Sequence, residues 1–430
     1  MRPLAPPAIE DRFDIYRFFN GLSVDAKEGL DRRHTRVPLV KTFLLEHVAC
    51  RGNGQPKPPT CIFETLGAEV RMVDDSLMEL TFDVLDPDTK TSVRRPTGFL
   101  EQYDERFFAY YTCEDSVEAK KRVAKWIQAP DLDYTWFSSP LLQVLWDRDV
   151  SNRGDERFTK LSFRHESIFD MPEDFSSSEE PSEETVLDDV KEAMEDEESI
   201  TEDRVEVERR RARFEMGDRI GRIKRSLATL QENYEPLYAL HALRLPSRIG
   251  RGGHDLFQTG QITNRTDSFE DHRNTVRYLY RIYKGVLDFT EKAAWHDITR
   301  AKTLHVGLKG VPLVVEFAEP LSEATFNRWV QRAFQKRNRF KLWGDPIKLG
   351  PTKVHVYGAD RHLWQPINLE LTEKGVVAIL PQGTCGNTFH RLVTNIQHYV
   401  SPKIQAWLGS ESFDKVVRQW PARPEESDES

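Results

Sequence analysis

The stretch DMPEDFSSSEEPSEETVLDDVKEAMEDEESITED, residues 170–203, divides the sequence and decides how the rest of it can fold. It contains sixteen Asp or Glu residues and a single basic residue, Lys191, so its local charge is −15. A segment that is so acidic and so poor in apolar side chains cannot bury enough surface to offset the entropy lost on folding. We therefore predict a flexible acidic linker over 170–203, with folded domains on both sides.

The charge of the remaining chain has the opposite sign. The whole chain of 430 residues has a net charge of −9, so the residues outside the linker carry a surplus of +6. Directly after the linker, residues 204–225 contain nine basic and four acidic residues. Adjacent blocks of opposite charge attract each other, and we expect an intramolecular contact between 170–203 and the basic surfaces.

The composition indicates a globular protein of the cytoplasm. Hydrophobic residues make up 38% of the chain and charged residues 30%, and no apolar run approaches the roughly 18 residues of a membrane span. The first residues lack the apolar core of a signal peptide. Cys50, Cys61, Cys113 and Cys385 have no paired spacing, so we expect free thiols, no metal site and no cofactor.

Residues 1–169 are predicted to form an N-terminal α+β domain. The apolar spacing in 11–22 indicates a helix, and the dense apolar run VPLVKTFLLEHVA (37–49) is interpreted as a second, buried helix. Short strands are predicted from CIFETL (61–66) to RFFAYYT (106–112). Helices at 116–127 and near 139–149 and a last strand near 160–169 complete this domain.

Residues 204–300 are predicted to be mostly helical, and TVRYLYRIYKGVLDFTEKAAW (275–295) is the clearest helix. The sequence GRGGHD (250–255) interrupts them. Its glycines and His254 suit phosphate binding or acid–base chemistry, but the strand and helix that flank a phosphate-binding loop are not indicated. We interpret it as an exposed loop.

Residues 301–420 are predicted to form a C-terminal α+β domain with a basic amphipathic helix, followed by an acidic tail at 421–430. TLHVGL (303–308) and VPLVVEFA (311–318) are interpreted as a strand pair. A helix over 321–340, four further strands and a helix over 386–400 follow. The fold class is thus α+β, with two α+β domains separated by an acidic disordered linker and a helical middle segment.

The helix after Ser322 combines an N-cap with two distinct faces. Phe326, Trp329 and Val330 lie on one face at spacings of three and four residues. Basic residues lie on the opposite face, and one basic and one aromatic residue extend it toward the next strand. This predicted contact surface for nucleic acid or an acidic partner comprises Arg328, Arg332, Lys336, Arg339, Lys341 and Trp343.

A possible catalytic centre lies in PQGTCGNTFHRL (381–392), where Cys385 precedes a predicted helix. The N-terminus of a helix stabilises a thiolate and lowers its pKa. His390 lies about 140° away around such a helix, so the base would have to be His355 or His362. Catalysis by Cys385, anion binding by the amides of the turn and a plain connection between strand and helix remain open.

The favoured function is that of a non-enzymatic cytoplasmic binding or regulatory protein, which acts as a subunit of a larger assembly. Its partner would be an acidic protein or a nucleic acid, bound through the basic helix, and no membrane contact is expected. A cysteine-dependent hydrolase or transferase centred on Cys385 is one alternative. The other is a switch protein that is cut or modified in its acidic linker.

Overall fold

The structure is a computed structural model, and it describes most of the chain. The described residues are 9–32, 38–47, 57–85, 91–129, 131–167, 205–208, 211–300, 306–334, 340–360 and 364–418. The predicted acidic linker (170–203), its suggested contact with basic surfaces and the acidic tail (421–430) lie outside these residues.

Helices are separated by one to four strands along the described part of the chain. The helices are α1 (Arg12–Arg32), α2 (Pro59–Thr65), α3 (Ser116–Trp126), α4 (Ser139–Leu145), α5 (Ile220–Asn233), α6 (Phe269–Ala294), α7 (Glu323–Ala333), α8 (Asn387–Tyr399) and α9 (Phe413–Arg418). The first twelve strands are β1 (Lys41–His47), β2 (Glu69–Asp74), β3 (Leu77–Leu85), β4 (Ser92–Gln102), β5 (Phe107–Thr112), β6 (Leu132–Tyr134), β7 (Phe158–Glu166), β8 (Val205–Glu208), β9 (Arg211–Arg219), β10 (Leu240–Pro246), β11 (Gly253–Phe257) and β12 (Gln261–Asn264). The remaining strands are β13 (Trp295–Arg300), β14 (Val306–Lys309), β15 (Leu313–Phe317), β16 (Leu342–Gly350), β17 (Lys353–Asp360), β18 (Gln365–Thr372), β19 (Gly375–Pro381), β20 (Ile404–Leu408) and β21 (Glu411–Ser412).

The chain forms two compact α+β units, and each is assembled from separate stretches of sequence. Unit 1 takes its described residues from Met1–Thr135 and Arg244–Tyr280. Unit 2 takes its described residues from Trp136–Pro181, Thr201–Leu243 and Arg281–Ser430. The predicted α+β fold class is confirmed, but these divisions differ from the predicted ones at 169 and 300. The reason is long-range strand pairing, because β12 pairs with β1 across more than 200 residues of sequence.

Unit 1 is built on a sheet with the strand order β2-β3-β4-β5-β1-β12-β11, and β6 also pairs with β1. One face carries α2 and α3, whose Phe63 and Trp126 rings pack edge-on with a centroid distance of 5.2 Å. On the other face, Phe19 of α1 stacks on Phe269 of α6 at 4.8 Å. Helices therefore cover both faces, which explains why every residue of β5 is buried.

Two segments of unit 1 have the opposite secondary structure to the predicted one. The run 37–49, predicted as a buried helix, contains strand β1, whose residues are all buried. The run 61–66, predicted as a strand, lies largely in helix α2, which has a proline at its first position. The run that contains β1 is buried on all sides and lacks the periodicity that separates a strand from a helix, and six residues at 61–66 are too few to show a period.

The segment 204–300, predicted to be mostly helical, is helical only in part. It contains α5 and α6, and α6 includes most of the predicted helix 275–295. Strands β8 to β13 also fall in this segment. The predicted exposed loop 250–255 ends in β11, where His254 and Asp255 are buried. Glycine-rich sequence at the start of this strand obscured its pattern, although only glycine fits at 253, where a Cβ would lie 2.5 Å from the Leu245 carbonyl oxygen.

The C-terminal sheet of unit 2 has the strand order β16-β17-β18-β19-β15-β20-β21. β13 runs parallel to β19 and pairs with β14, so β14 does not form the predicted pair with β15. Helix α7 packs Phe326 and Trp329 inward, and Trp329 contacts Phe317 of β15. The predicted helix 386–400 is α8, which is buried along its whole length. The other strands of unit 2 follow the order β10-β7-β9-β8.

Candidate functional site

Helix α7 begins where the sequence predicts, after Ser322, but it ends at Ala333 rather than at the predicted residue 340. The Ser322 hydroxyl accepts a hydrogen bond of 3.2 Å from the Thr325 amide, which caps the first turn. Phe326, Trp329, Val330 and Ala333 are buried. Arg328 is exposed and Arg332 is half-buried, whereas Lys336 and Arg339 of the predicted basic surface lie outside the described residues.

Strands β16 and β17 present an apolar and aromatic surface to solvent. Trp343 is 59% exposed and Tyr357 is 70% exposed, and both point away from the side of the sheet that packs against the helices. β16 is the outermost strand of this sheet among the described residues. We call the exposed side chains the aromatic face, and they are Trp343, Ile347, Leu349 and Tyr357, with Trp364 beside them.

Strand register fixes the spacing of the aromatic face. Trp343 pairs with Ala359 and Asp345 pairs with Tyr357, so Trp343 and Tyr357 are diagonal neighbours on one side of the sheet. Side chains in such positions have Cβ atoms roughly 7–8 Å apart, within reach of aromatic rings. Monomeric proteins rarely leave such residues together in water, so the aromatic face indicates a binding surface.

Basic side chains lie at the margin of the aromatic face. Lys348 of β16 pairs with the buried Val354 and so lies on the helix side of this edge strand, where it donates a hydrogen bond of 3.2 Å to the Asn327 side chain of α7. The next residue of α7, Arg328, is exposed. On β17, Lys353 and His355 both contact Glu370, at 3.0 Å and 2.6 Å. The hydrogen bonds from Lys353 and His355 lower the pKa of the Glu370 carboxyl.

The backbone is strained at both ends of this surface. Lys341, directly before β16, has φ +52°, and Trp364, directly before β18, has φ +50°. They are the two non-glycine positions with positive φ in the part of the chain that the structure describes. Such conformations cost about 1–3 kcal/mol and concentrate at functional sites.

In the turn before α8, side chains of the protein accept hydrogen bonds from the backbone amides. Cys385 is buried, and its amide donates a hydrogen bond of 2.6 Å to Gln365 Oε1. The Gly386 amide donates to Glu291 Oε1 at 2.9 Å. Protein side chains therefore occupy the amides of Cys385 and Gly386, which could otherwise bind an external anion.

The proposed bases for Cys385 do not assemble around it. His355 binds Glu370, which is five residues along β18 from Gln365, the side chain that contacts Cys385. At about 3.3 Å per residue, five residues of strand correspond to roughly 16 Å. His362 lies outside the described residues. His390 is fully buried, and neither of its ring nitrogens has a hydrogen-bond partner among the described residues.

Unit 1 contains a buried polar chain that the sequence did not predict. Thr42 Oγ1 lies 2.7 Å from His272 Nε2, and His272 Nδ1 lies 3.3 Å from His254 Nδ1. His254 Nε2 lies 3.1 Å from Asp271 Oδ2, which also accepts from Ser247 at 2.7 Å. The adjacent pair Asp271–His272 was the one available signal, because both residues lie near the start of α6, the end of the helix that follows the glycine-rich stretch with His254.

Two classes of site are not found within the described ranges. No group of three or more His, Cys, Asp or Glu side chains is arranged to hold a metal ion there. Among the described helices, none is both long and apolar enough to cross a membrane. The functional candidates are therefore the aromatic face with its basic margin and the buried chain of unit 1.

These features define a two-unit α+β protein with an open sheet face. The chain belongs to the family of MJECL33-like proteins, whose sequence profile matches residues 9–234 and 248–414. It is 25% identical over 150 residues to the Methanocaldococcus jannaschii protein named "Uncharacterized protein MJECL33". That match spans about a third of each of the two chains, 33%. No solved structure matches this chain.

Proposed function

We propose that the protein is a non-enzymatic binding protein, and that unit 2 binds single-stranded nucleic acid on the aromatic face. The observation that carries the proposal is the exposure of Trp343 and Tyr357 on neighbouring strands of one sheet, together with the exposed Trp364 directly before the next strand, β18. Every nucleobase has a flat surface that stacks on an aromatic ring, so such a face binds bases with little regard to sequence. In a double helix these surfaces are not accessible, which favours a single strand.

The distribution of charge supports an arrangement in which the bases bind the aromatic face and the phosphates bind its basic margin. Asp345 lies between Trp343 and Ile347 on the aromatic face and would repel phosphate there. Lys348 of the edge strand, and Arg328, which follows its partner Asn327 on α7, lie on the helix side of that strand, around its edge from the aromatic face. Bases would therefore stack over the face while phosphates contact the margin, where cationic side chains give a salt-dependent contribution to binding.

An acidic protein is the competing ligand, and the aromatic face argues against it. An acidic protein that binds by charge attraction would contact the basic residues and would not need the exposed aromatic rings. The three rings of the face would then contribute little to binding, whereas stacking on a base contributes about 1–3 kcal/mol per ring. The two ligands can therefore be distinguished by the effect of aromatic substitutions.

The test is fluorescence anisotropy of labelled oligonucleotides with the full chain. Trp343→Ala and Tyr357→Ala should each weaken binding of a single strand by about fivefold to 150-fold, the equivalent of about 1–3 kcal/mol. Phe13→Ala is the matched control, because Phe13 is 63% exposed and lies on α1 of unit 1. A loss caused equally by Phe13→Ala, or no loss with either variant of the face, would contradict the proposal.

The basic margin is tested by salt dependence. Arg328→Glu should lower affinity and reduce the slope of log affinity against log salt by about one or two contacts. Arg225→Glu, at an exposed position of α5, is the matched charge reversal outside the site. If poly-glutamate competes as well as an oligonucleotide and Trp343→Ala has no effect on either, the ligand is an acidic protein.

The proposal includes a cytoplasmic location and a role as a subunit of a larger assembly. Cys61, Cys113 and Cys385 are free thiols, as is usual for proteins of a reducing compartment. Size-exclusion chromatography of native extract tests the second part, because a free 50.0 kDa chain would contradict it. A cysteine-dependent activity and a switch in the linker 170–203 remain predictions that no contact of the described residues favours.

A further inference from the structure

The buried polar chain of unit 1 joins two strands, one helix and one turn through side chains alone. β1 contributes Thr42, α6 contributes Asp271 and His272, β11 contributes His254, and Ser247 follows β10. All five side chains belong to residues that are at most 3% exposed. At the far end the exposed Gly250 donates its amide to Ser247 Oγ at 3.0 Å. The hydrogen bonds between these side chains therefore lead from the core of unit 1 to a turn at its surface.

With both imidazoles neutral, each hydrogen bond of the chain has one permitted direction. Asp271 is a carboxylate and only accepts, so His254 Nε2 carries a proton and its Nδ1 has a lone pair. His272 Nδ1 must then donate to His254 Nδ1. His272 Nε2 is left as an acceptor for the Thr42 hydroxyl. Every imidazole nitrogen of the buried polar chain then has a hydrogen-bond partner, as buried polar networks require.

A second state satisfies the same chain with one additional proton. If the proton is added to His254 Nδ1, this atom becomes a donor toward His272 Nδ1. His272 then moves its own proton to Nε2 and donates it to the Thr42 oxygen, because a hydroxyl can also accept. The charge resides on His254, next to the Asp271 carboxylate, where an opposite charge favours it. The hydrogen of the Thr42 hydroxyl then has to turn away from His272.

We propose that the His254–His272 pair takes up one proton and that this uptake reverses the hydrogen bonds from His254 to Thr42, so that the pair acts as a pH-sensitive switch. The geometry carries this inference, because two facing Nδ1 atoms cannot both be donors and cannot both be acceptors without a shared proton. It is independent of the nucleic-acid proposal, which concerns unit 2.

The surroundings decide at which pH the switch operates. β5 contributes Tyr111, whose pKa burial raises well above its usual range, so that it stays neutral. α6 contributes Asp271 and the uncharged ring of Phe269. Burial, and then the neighbouring His254, lower the pKa of His272 well below its usual range, while Asp271 opposes them. His272 is therefore neutral at pH 7, and we expect the uptake on the acid side of this pH.

The test is ¹⁵N NMR of the full chain with labelled histidine, titrated from pH 8 downward. One proton per molecule should convert His254 to the doubly protonated form while His272 changes from the Nδ1–H to the Nε2–H tautomer. Double protonation of His272 with an unchanged His254 would overturn the proposal. Unfolding of unit 1 before either ring changes would also overturn it, and so would a metal ion between the two Nδ1 atoms, detected by a shift on adding EDTA.

A variant gives a second readout. In Asp271→Asn the side-chain oxygen still accepts from His254 Nε2, but the negative charge that stabilises the imidazolium is lost. Proton uptake by the pair should move to lower pH by at least one unit, a tenfold weaker proton affinity. Asp255→Asn is the control on the same strand as His254, because Asp255 pairs with Arg244 and Arg265. An uptake that Asp271→Asn leaves unchanged overturns the assignment of the charge to His254.

Discussion

The carboxylate of Glu291 accepts a hydrogen bond of 2.9 Å from the backbone amide of Gly386, the residue that caps the N-terminus of α8. The first turn of a helix carries partial positive charge and attracts anions. Here the anion is a side chain of the same unit, held by helix α6. The turn around Cys385 therefore works as an internal packing contact between two helices of unit 2.

A methyl group at position 386 should disrupt this contact. An ideal Cβ there would lie 2.8 Å from Glu291 Cγ and 3.1 Å from Leu287 Cδ1. We expect Gly386→Ala to lower the free energy of unfolding by about 1–3 kcal/mol, as overpacking usually does. The control is Gly21→Ala in helix α1, where the new Cβ would have nothing within 4 Å. We expect this change to raise the free energy of unfolding by about 0.5–1 kcal/mol. Urea unfolding curves measure both, and equal effects of the two variants would refute the contact.

The ion pair of Asp360 and Arg391 should be strongly coupled. Both side chains are buried, and Thr388 also donates to Asp360 at 2.7 Å. Because Asp360→Asn removes the charged partner of the buried Arg391, we expect it to cost about 3–5 kcal/mol. The exposed pair Lys415–Glu411 is the control, and Glu411→Gln should cost about 0–1 kcal/mol. A double-mutant cycle with Arg391→Met measures the coupling, and additive effects would contradict it.

His390 should make unit 2 sensitive to acid. Burial lowers its pKa to about 4, whereas an unfolded chain has the ordinary value of 6.5. The folded state thus binds fewer protons below pH 6.5, and stability falls as the pH decreases from 6.5 toward 4. At pH 5 the loss amounts to about 2 kcal/mol, since each pH unit below the unfolded value costs about 1.4 kcal/mol.

Replacement of His390 tests this dependence. Leucine has similar volume and needs no hydrogen-bond partner, and the two nitrogens of His390 have none to lose. We expect His390→Leu to flatten the decline of stability between pH 6.5 and 4, and to differ from the parent chain much less at pH 8. Denaturant unfolding at each pH provides the measurement. Parallel curves for the two proteins across this range would show that another group is responsible.

The cysteines should differ in their reactivity toward a thiol reagent. Cys61 is exposed, whereas Cys385 is buried. Burial raises the pKa of Cys113 to about 11, so little thiolate is present at pH 8. We expect labelling in the order Cys61, Cys113, Cys385, with Cys385 modified only after unfolding. Mass spectrometry of timed samples resolves the three sites. Rapid labelling of Cys385 in the folded chain would contradict this order and support the alternative that Cys385 is a catalytic nucleophile.

Segments with a strong local signal were predicted from sequence. The Ser322 cap and the apolar spacing after it specify α7, because these interactions lie within a few residues of one another. The regular pattern of 275–295 likewise gave most of α6. Trp343 was recognised as part of a surface because a tryptophan follows a basic helix, and it is exposed.

Other segments depended on partners that are distant in the chain. VPLVKTFLLEHVA has no period that identifies a strand, and it became β1 because β5, β6 and β12 pair with it. The aromatic face required strand register to place Tyr357 near Trp343. The buried polar chain of unit 1 required a helix and two strands to meet, because His272 of the helix lies between His254 and Thr42 of the strands and links them.

By itself, the sequence determined the alternation of helices and strands where side-chain periodicity is local, and the segregation of acidic from basic charge along the chain. Only the tertiary structure decided which stretches belong to one unit, which amides are already occupied and which imidazoles face each other. The physical reason is that hydrogen bonds and burial between residues far apart in sequence leave no periodic trace in the residues themselves.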